Sequence, residues 1–131
     1  MAADERQFKT EIIMAAKTWG AHAFTVNERF AAGRPDVYIK HPKYPAIWLE
    51  LKFGKLNLTP AQRAFLRAEQ RAGGHAGWAL CHELQHGRRW GIYAGKNPDE
   101  ERIVDPAQVV QVREHGEPID IEGIVRAVIY G

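Results

Sequence analysis

Cysteine is nearly absent: Cys81 stands alone in 131 residues. A single thiol excludes an internal disulfide, and with it the stapled scaffolds of small secreted proteins, so a reducing cytoplasm is the expected setting. No apolar run approaches the roughly 20 residues that a membrane-spanning helix requires. The opening MAADERQFKTE is charged and lacks the apolar stretch of a secretory leader, so no signal peptide is expected. Internal repeats and low-complexity segments are missing too. Charge of one sign is also in short supply: 18 Lys and Arg against 16 Asp and Glu leave a formal net charge of +2. That balance argues against a protein that coats nucleic acid wholesale, while leaving room for separate acidic and basic patches.

What the chain does have is core-forming material. It is 45% hydrophobic and 26% charged, with four Trp, four Tyr and five Phe, the balance of a globular domain rather than a disordered tail. A single domain over 1–131 is expected from the length. Phe8, Ile12, Ala15, Ala16 and Trp19 recur at helical spacing, so residues 4–19 predict an amphipathic helix stopped by Gly20. HAFTVN (22–27) alternates like a short strand. DVYIK (36–40) and AIWLELK (46–52) are the clearest strands, joined by the proline-bearing loop HPKYP. TPAQRAFLRAEQRAGG (59–74) predicts a helix with Thr59 as N-cap, Pro60 in the first turn and Gly73–Gly74 at its end. HAGWALC (75–81) and WGIYAG (90–95) read as strands. PAQVVQV fits helix or strand, and DIEGIVRAVIY (120–130) reads as a closing helix capped by Asp120. This order predicts an α/β (α+β) fold, a mixed sheet flanked by helices, with a C-terminal elaboration over about 96–131.

The hairpin 36–52 carries the chemistry. With its loop centred on Lys43, Asp36 falls opposite Glu50, and the two-residue period of a strand puts Asp36, Glu50 and Lys52 on one face. Val37, Ile39, Ile47, Leu49 and Leu51 take the other, apolar face. A change of one residue in the loop would break this register. Opposed Cβ atoms lie roughly 5 Å apart, and like charges at that separation destabilise a strand pair. A divalent cation offsets them, because Mg²⁺ takes one or two carboxylates together with waters and phosphate oxygens. Bound Mg²⁺ or Mn²⁺ polarises a phosphoryl oxygen and lowers the pKa of a coordinated water. Lys52 is positioned to orient that water or to stabilise charge building on the phosphate. The combination is a recipe for hydrolysing a phosphodiester. The same residues on a solvated strand also form ordinary cross-strand ion pairs, and the letters alone do not decide between the two.

Taken in order, GRPDVYI, WLELK, LTPAQRAFL and AGG resemble the PD-(D/E)xK nuclease superfamily, and more narrowly the VRR-NUC family, whose stand-alone members are often phage or bacterial proteins. The matching residues are Gly33, Pro35, Asp36, Glu50, Lys52, Leu58, Thr59 and Gln62, within about residues 5–81. The resemblance implies a restriction-endonuclease-like αβββαβ core over about 5–95 and a Mg²⁺- or Mn²⁺-dependent deoxyribonuclease, in the host cytoplasm where phage-encoded. It implies Asp36 and Glu50 as metal ligands, joined by the backbone carbonyl of Leu51, with Lys52 in its catalytic role and Gln62 beside the site. Gln62 reads equally well as an ordinary polar residue of a first helical turn. The family pattern adds an acid on the first helix: Glu5, three residues ahead of Phe8, with Glu11 as the alternative. The dipole of a helix N-terminus gives either carboxylate a purely structural reason to be there. Some stand-alone members resolve junctions, so branched DNA is the expected partner. A homodimer would cut two strands through symmetry-related sites, with the Trp- and Val-rich C-terminal half as its candidate interface.

Several cations are candidates for holding DNA. Arg63, Arg67 and Arg71 fall at i, i+4 and i+8 on the second helix, with Lys55 just before it and Arg34 beside the Asp36 strand. Such groups neutralise backbone phosphates without reading sequence. Arg29, Arg88 and Arg89 are further candidates. No zinc finger or helix-turn-helix is recognisable, so structure-selective cutting is expected over sequence-specific cutting. Two other readings stand beside this one. The first is a catalytically silent DNA- or protein-binding module on a nuclease fold. The second is a zinc hydrolase through HELQH (82–86), which has the H-E-x-x-H letters in His82, Glu83 and His86. Zinc chemistry of that kind needs both histidines on one face of a helix. The string instead follows the apolar strand WALC and meets Gly87, so a strand running out into a loop is expected there.

Overall fold

The computed structural model describes residues 3–26, 33–85, 87–101, 109–114 and 116–131. Along the chain run α1 (Ala3–Thr18), β1 (His22–Thr25), β2 (Val37–Lys40), β3 (Ile47–Phe53), α2 (Pro60–Arg71), β4 (His75–Gln85), β5 (Arg89–Gly95), β6 (Val109–Glu114) and α3 (Ile121–Tyr130). The strands form one six-stranded sheet in sequence order. All neighbours pair antiparallel except β3 and β4, which are parallel. A parallel pair cannot be closed by a tight turn, and α2 makes the crossover between them.

The central hairpin adopts the register its loop length predicts: Val37 pairs with Leu49, Tyr38 with Trp48 and Ile39 with Ile47. The loop is fastened by its own side chains. Lys40 Nζ donates to the carbonyls of His41 and Tyr44, at 2.7 and 2.6 Å. The His41 ring stacks on Trp19 with centroids 3.8 Å apart, and its Nδ1 accepts the Lys43 N–H. These contacts fix how many residues the turn contains, and therefore which residues face each other.

Alternation sorts the strand residues onto two faces. Val37, Ile39, Ile47, Leu49, Ala79, Cys81, Ile92 and Ala94 pack with Phe8, Ile12 and Ala16 of α1 and with Ile121, Ile124, Val125 and Val128 of α3. Ala76, Trp78, Leu80 and Tyr93 point the other way, onto Leu66 of α2 and onto Leu56 and Leu58 ahead of it. β4 is buried on both sides over 76–81, which accounts for its unbroken apolar run.

The C-terminal elaboration completes this core. The ambiguous stretch around PAQVVQV is strand over Val109–Glu114, and it pairs with β5. Arg113 of β6 is 8% exposed and reaches Glu11 of α1 at 2.8 Å, while its guanidinium also donates to the Glu117 carbonyl. A buried charge is tolerable only when paired and hydrogen-bonded in this way. Several element ends differ from expectation, most plainly in β1 and β4. β1 stops at Thr25, and β4 runs past Cys81 to Gln85, because β5 continues to pair with it as far as Arg89. No helix among the described residues is long and apolar enough to cross a membrane.

Ile124 of α3 is fully buried against this core. Ile124→Ala should lower the unfolding free energy in urea by about 2–5 kcal/mol, as a shared-core truncation does. A change within about 0.5 kcal/mol would mean that α3 is peripheral to the fold.

Candidate active site

Extending the β2–β3 register by one residue sets Asp36 opposite Glu50. The approach to Asp36 depends on Gly33, whose φ is +82°. A Cβ at that position would lie 2.3 Å from the carbonyl oxygen of Ala61. Only glycine lets the segment ahead of β2 run so close against the first turn of α2. Asp36 then reaches across the hairpin. Its Oδ2 accepts the Leu51 N–H at 2.8 Å, and its Oδ1 lies 3.6 Å from Nζ of Lys9 on α1.

Glu50 is 3% exposed. Burying a carboxylate is costly unless hydrogen bonds replace its water. Gln62 supplies one: its Nε2 donates to Glu50 Oε1 at 2.9 Å. The oxygen of the same amide accepts the Thr59 N–H at 2.9 Å, and Thr59 Oγ1 in turn accepts the Gln62 N–H at 3.1 Å. Gln62 therefore caps α2 with one end of its amide and holds Glu50 with the other.

These groups open onto a cleft of about 390 Å³ lined by Glu5, Phe8, Lys9, Asp36, Glu50, Leu51, Lys52, Phe53, Gly54, Lys55 and Asn57. The structure thus brings Glu5, Asp36, Glu50, Leu51 and Lys52 to one place. Glu11 is elsewhere, paired to Arg113 on the α3 side of α1. Among the described residues no three His, Cys, Asp or Glu side chains cluster closely enough to hold a metal ion by themselves. The donor set at the cleft is the facing carboxylates of Asp36 and Glu50, with Glu5 also on its lining. That composition fits a hard ion that keeps several waters, such as Mg²⁺, rather than zinc with its nitrogen and sulfur ligands.

The basic candidates scatter. Lys52 is half-buried and makes no ion pair with a described residue, and Lys55 is exposed at the rim of the cleft. Arg67 pairs with Asp99, and Arg63 Nε donates to the Leu58 carbonyl at 3.1 Å. Arg71 is exposed, Arg34 is half-buried, and Arg88 and Arg89 are exposed where β4 turns into β5. The helical stripe exists, but none of its three arginines lines the cleft. Arg29 lies outside the described residues.

HELQ is strand, not helix, and His86 lies outside the described residues. His82 Nδ1 sits 2.9 Å from the Gly54 carbonyl, and Gly54 N–H donates to the Cys81 carbonyl at 2.8 Å. A carbonyl only accepts, so Nδ1 carries the proton. Glu83 accepts the Gly87 N–H. The string braces the turn at the cleft's edge, and the helical geometry that H-E-x-x-H needs is absent from it.

No family model matches the sequence, and no curated protein matches it. Among solved structures, the chain is similar to the Holliday junction resolvase Hjc of the archaeal hyperthermophile Archaeoglobus fulgidus. The TM-score is 0.57 at 17% identity, over 89% of this chain and 95% of that one. The likeness establishes the fold as restriction-endonuclease-like, a mixed six-stranded sheet flanked by three helices.

Lys9 is a charged residue of the cleft that no sequence motif marks. It stands one helical turn after Glu5, a spacing that puts both on the same side of α1. The double duty of Gln62 is open to test. Gln62→Ala removes both bonds and should cost about 1–3 kcal/mol in chemical denaturation. Gln62→Glu keeps the capping oxygen but faces Glu50 with a like charge, and should be no more stable than the alanine variant. Wild-type stability in Gln62→Glu would show that the bond to Glu50 holds nothing in place.

Proposed function

We propose that this chain is a divalent-metal-dependent nuclease acting on DNA, of the VRR-NUC kind, and that it selects branched structure rather than sequence. The observation that carries the reading is the Asp36–Glu50 pair on one rung of the hairpin, opening with Lys52 into one cleft. Asp36 and Glu50 would hold Mg²⁺ or Mn²⁺ together with the Leu51 carbonyl. Glu5, on the facing wall, is preferred as the helix acid over Glu11, whose carboxylate is committed to Arg113. When bound, the ion supplies Lewis acidity toward the phosphodiester and an acidified water. Lys52 stabilises charge that builds on the phosphate, and Gln62 keeps Glu50 aimed at the cleft. Lys55, Arg34 and Arg71 are the cations best available for backbone phosphates. Arg63 and Arg67 would first have to leave Leu58 and Asp99. The fold shared with a Holliday junction resolvase supports a four-way junction as substrate.

Resolving a junction takes two cuts, which a homodimer supplies. Phe24, Tyr38 and Trp48 pair across three strands, two rungs along from Asp36 and Glu50 and on the same face, and Phe24 is 43% exposed. An aromatic face of this kind suits a second copy. The tryptophans of the C-terminal half are less suited, since Trp78 is fully buried and Trp90 packs against the core.

Cleavage of plasmid and four-way-junction DNA in Mg²⁺ or Mn²⁺ tests the enzyme reading. Asp36→Ala and Lys52→Ala should each lose at least about a hundredfold in rate. Equal cleavage by all three proteins would remove these residues from the site, and Mn²⁺ binding without any cleavage would favour a binding module. Sedimentation tests the interface: Phe24→Glu should turn a dimer into a monomer, and an unchanged profile would exclude this face.

A further inference from the structure

We propose that Lys9 is a built-in counter-cation, which sits on Asp36 until a metal ion displaces it and so sets how tightly the site loads. The proposal rests on the metal-dependent reading above. Asp36 Oδ2 is committed to the Leu51 N–H at 2.8 Å, so Oδ1 is the oxygen the hairpin leaves for a cation, and Lys9 Nζ lies 3.6 Å from it. The Lys9 and Asp36 side chains are only 22% and 14% exposed, so salt screens this pair less than it screens a surface pair. Three lysines line the cleft, Lys9, Lys52 and Lys55, and among the described residues Lys9 alone forms an ion pair with a carboxylate there. The counter-charge for Asp36 therefore comes from α1, and Lys52 is not consumed in providing it.

Two consequences follow from elementary electrostatics. Asp36 and Glu50 face each other across a strand pair, and their repulsion opposes folding of the hairpin until a cation offsets it. Lys9 provides that offset from within the chain, so the hairpin closes before any ion arrives. A divalent ion then competes with an ammonium group for the same carboxylate oxygen, and its affinity is lowered by whatever the ion pair is worth. An ammonium on a flexible four-carbon stem can withdraw from Oδ1 without moving the helix that carries it.

Mn²⁺ binding to the full chain without DNA tests this, by calorimetry and by the electron paramagnetic resonance signal of free Mn²⁺. The proteins are wild type, Lys9→Met, Lys9→Gln, Lys9→Arg and Asp36→Asn. Lys9→Met and Lys9→Gln should bind Mn²⁺ about three- to tenfold more tightly than wild type. Lys9→Arg, which keeps the charge, should stay close to wild type, and Asp36→Asn should lose binding. Without metal, Lys9→Met should melt below wild type, and Mn²⁺ should narrow the gap. An ordinary structural ion pair would lower the melting temperature too, but it would not tighten Mn²⁺. Binding by Lys9→Met and Lys9→Gln that equals wild type, or is weaker, overturns the role of Lys9 and leaves the metal site intact. No Mn²⁺ binding in wild type and in both neutral variants overturns the metal site and the role of Lys9 together.

Discussion

Asp36 and Glu50 are held face to face across a strand pair, at a separation where their charges repel. Most of the surrounding structure answers that constraint. The loop from His41 to Tyr44 is tied down by Lys40 and by stacking on Trp19, so the hairpin does not relieve the repulsion by slipping one residue. The Leu51 N–H turns one oxygen of Asp36 inward to the backbone. Lys9 takes the other, and Gln62 holds Glu50 from a different helix. Each contact comes from a separate element, so the arrangement exists only once the sheet and both helices have assembled.

The far side of α1 matters as much as the near side. Phe8, Ile12 and Ala16 seat the helix on the sheet, and Glu11 is locked to Arg113 of β6. With that side fixed, Glu5 and Lys9 face the cleft. Residues near the C-terminus thus help to aim the cleft wall without lining it. This is a physical reason for β6 and α3 to belong to the main core.

The fold was largely legible in the residues, because its elements carry local signals. The hairpin has clean alternation and a loop of definite length, and α2 has Thr59, Pro60 and Gln62 where a helix start needs them. That HELQ is not helix could be read from the apolar strand before it, but not that β4 continues through it to Gln85. What stayed hidden was partnership between distant residues. Glu5 and Glu11 flank the apolar stripe of α1 about equally, and nothing near them in the chain announces Arg113. Helical spacing revealed the arginine stripe of α2 but not that Asp99 and the Leu58 carbonyl engage two of its members. Lys9 was visible as a position and not as a contact, since only the packed sheet brings α1 over Asp36.

Gly54 extends this logic to mechanics. Its N–H is held by the Cys81 carbonyl and its own carbonyl by His82, so both polar groups of one residue are clamped to β4. Its φ of +86° sends the chain away from the sheet immediately afterwards. The chain is next anchored at Leu56, which is buried under α2. Lys55 therefore rides on a tether only one residue long between two fixed posts. Its ammonium can sweep the width of its own side chain while the backbone beneath it stays still, giving a rigid floor with one compliant finger at the lip.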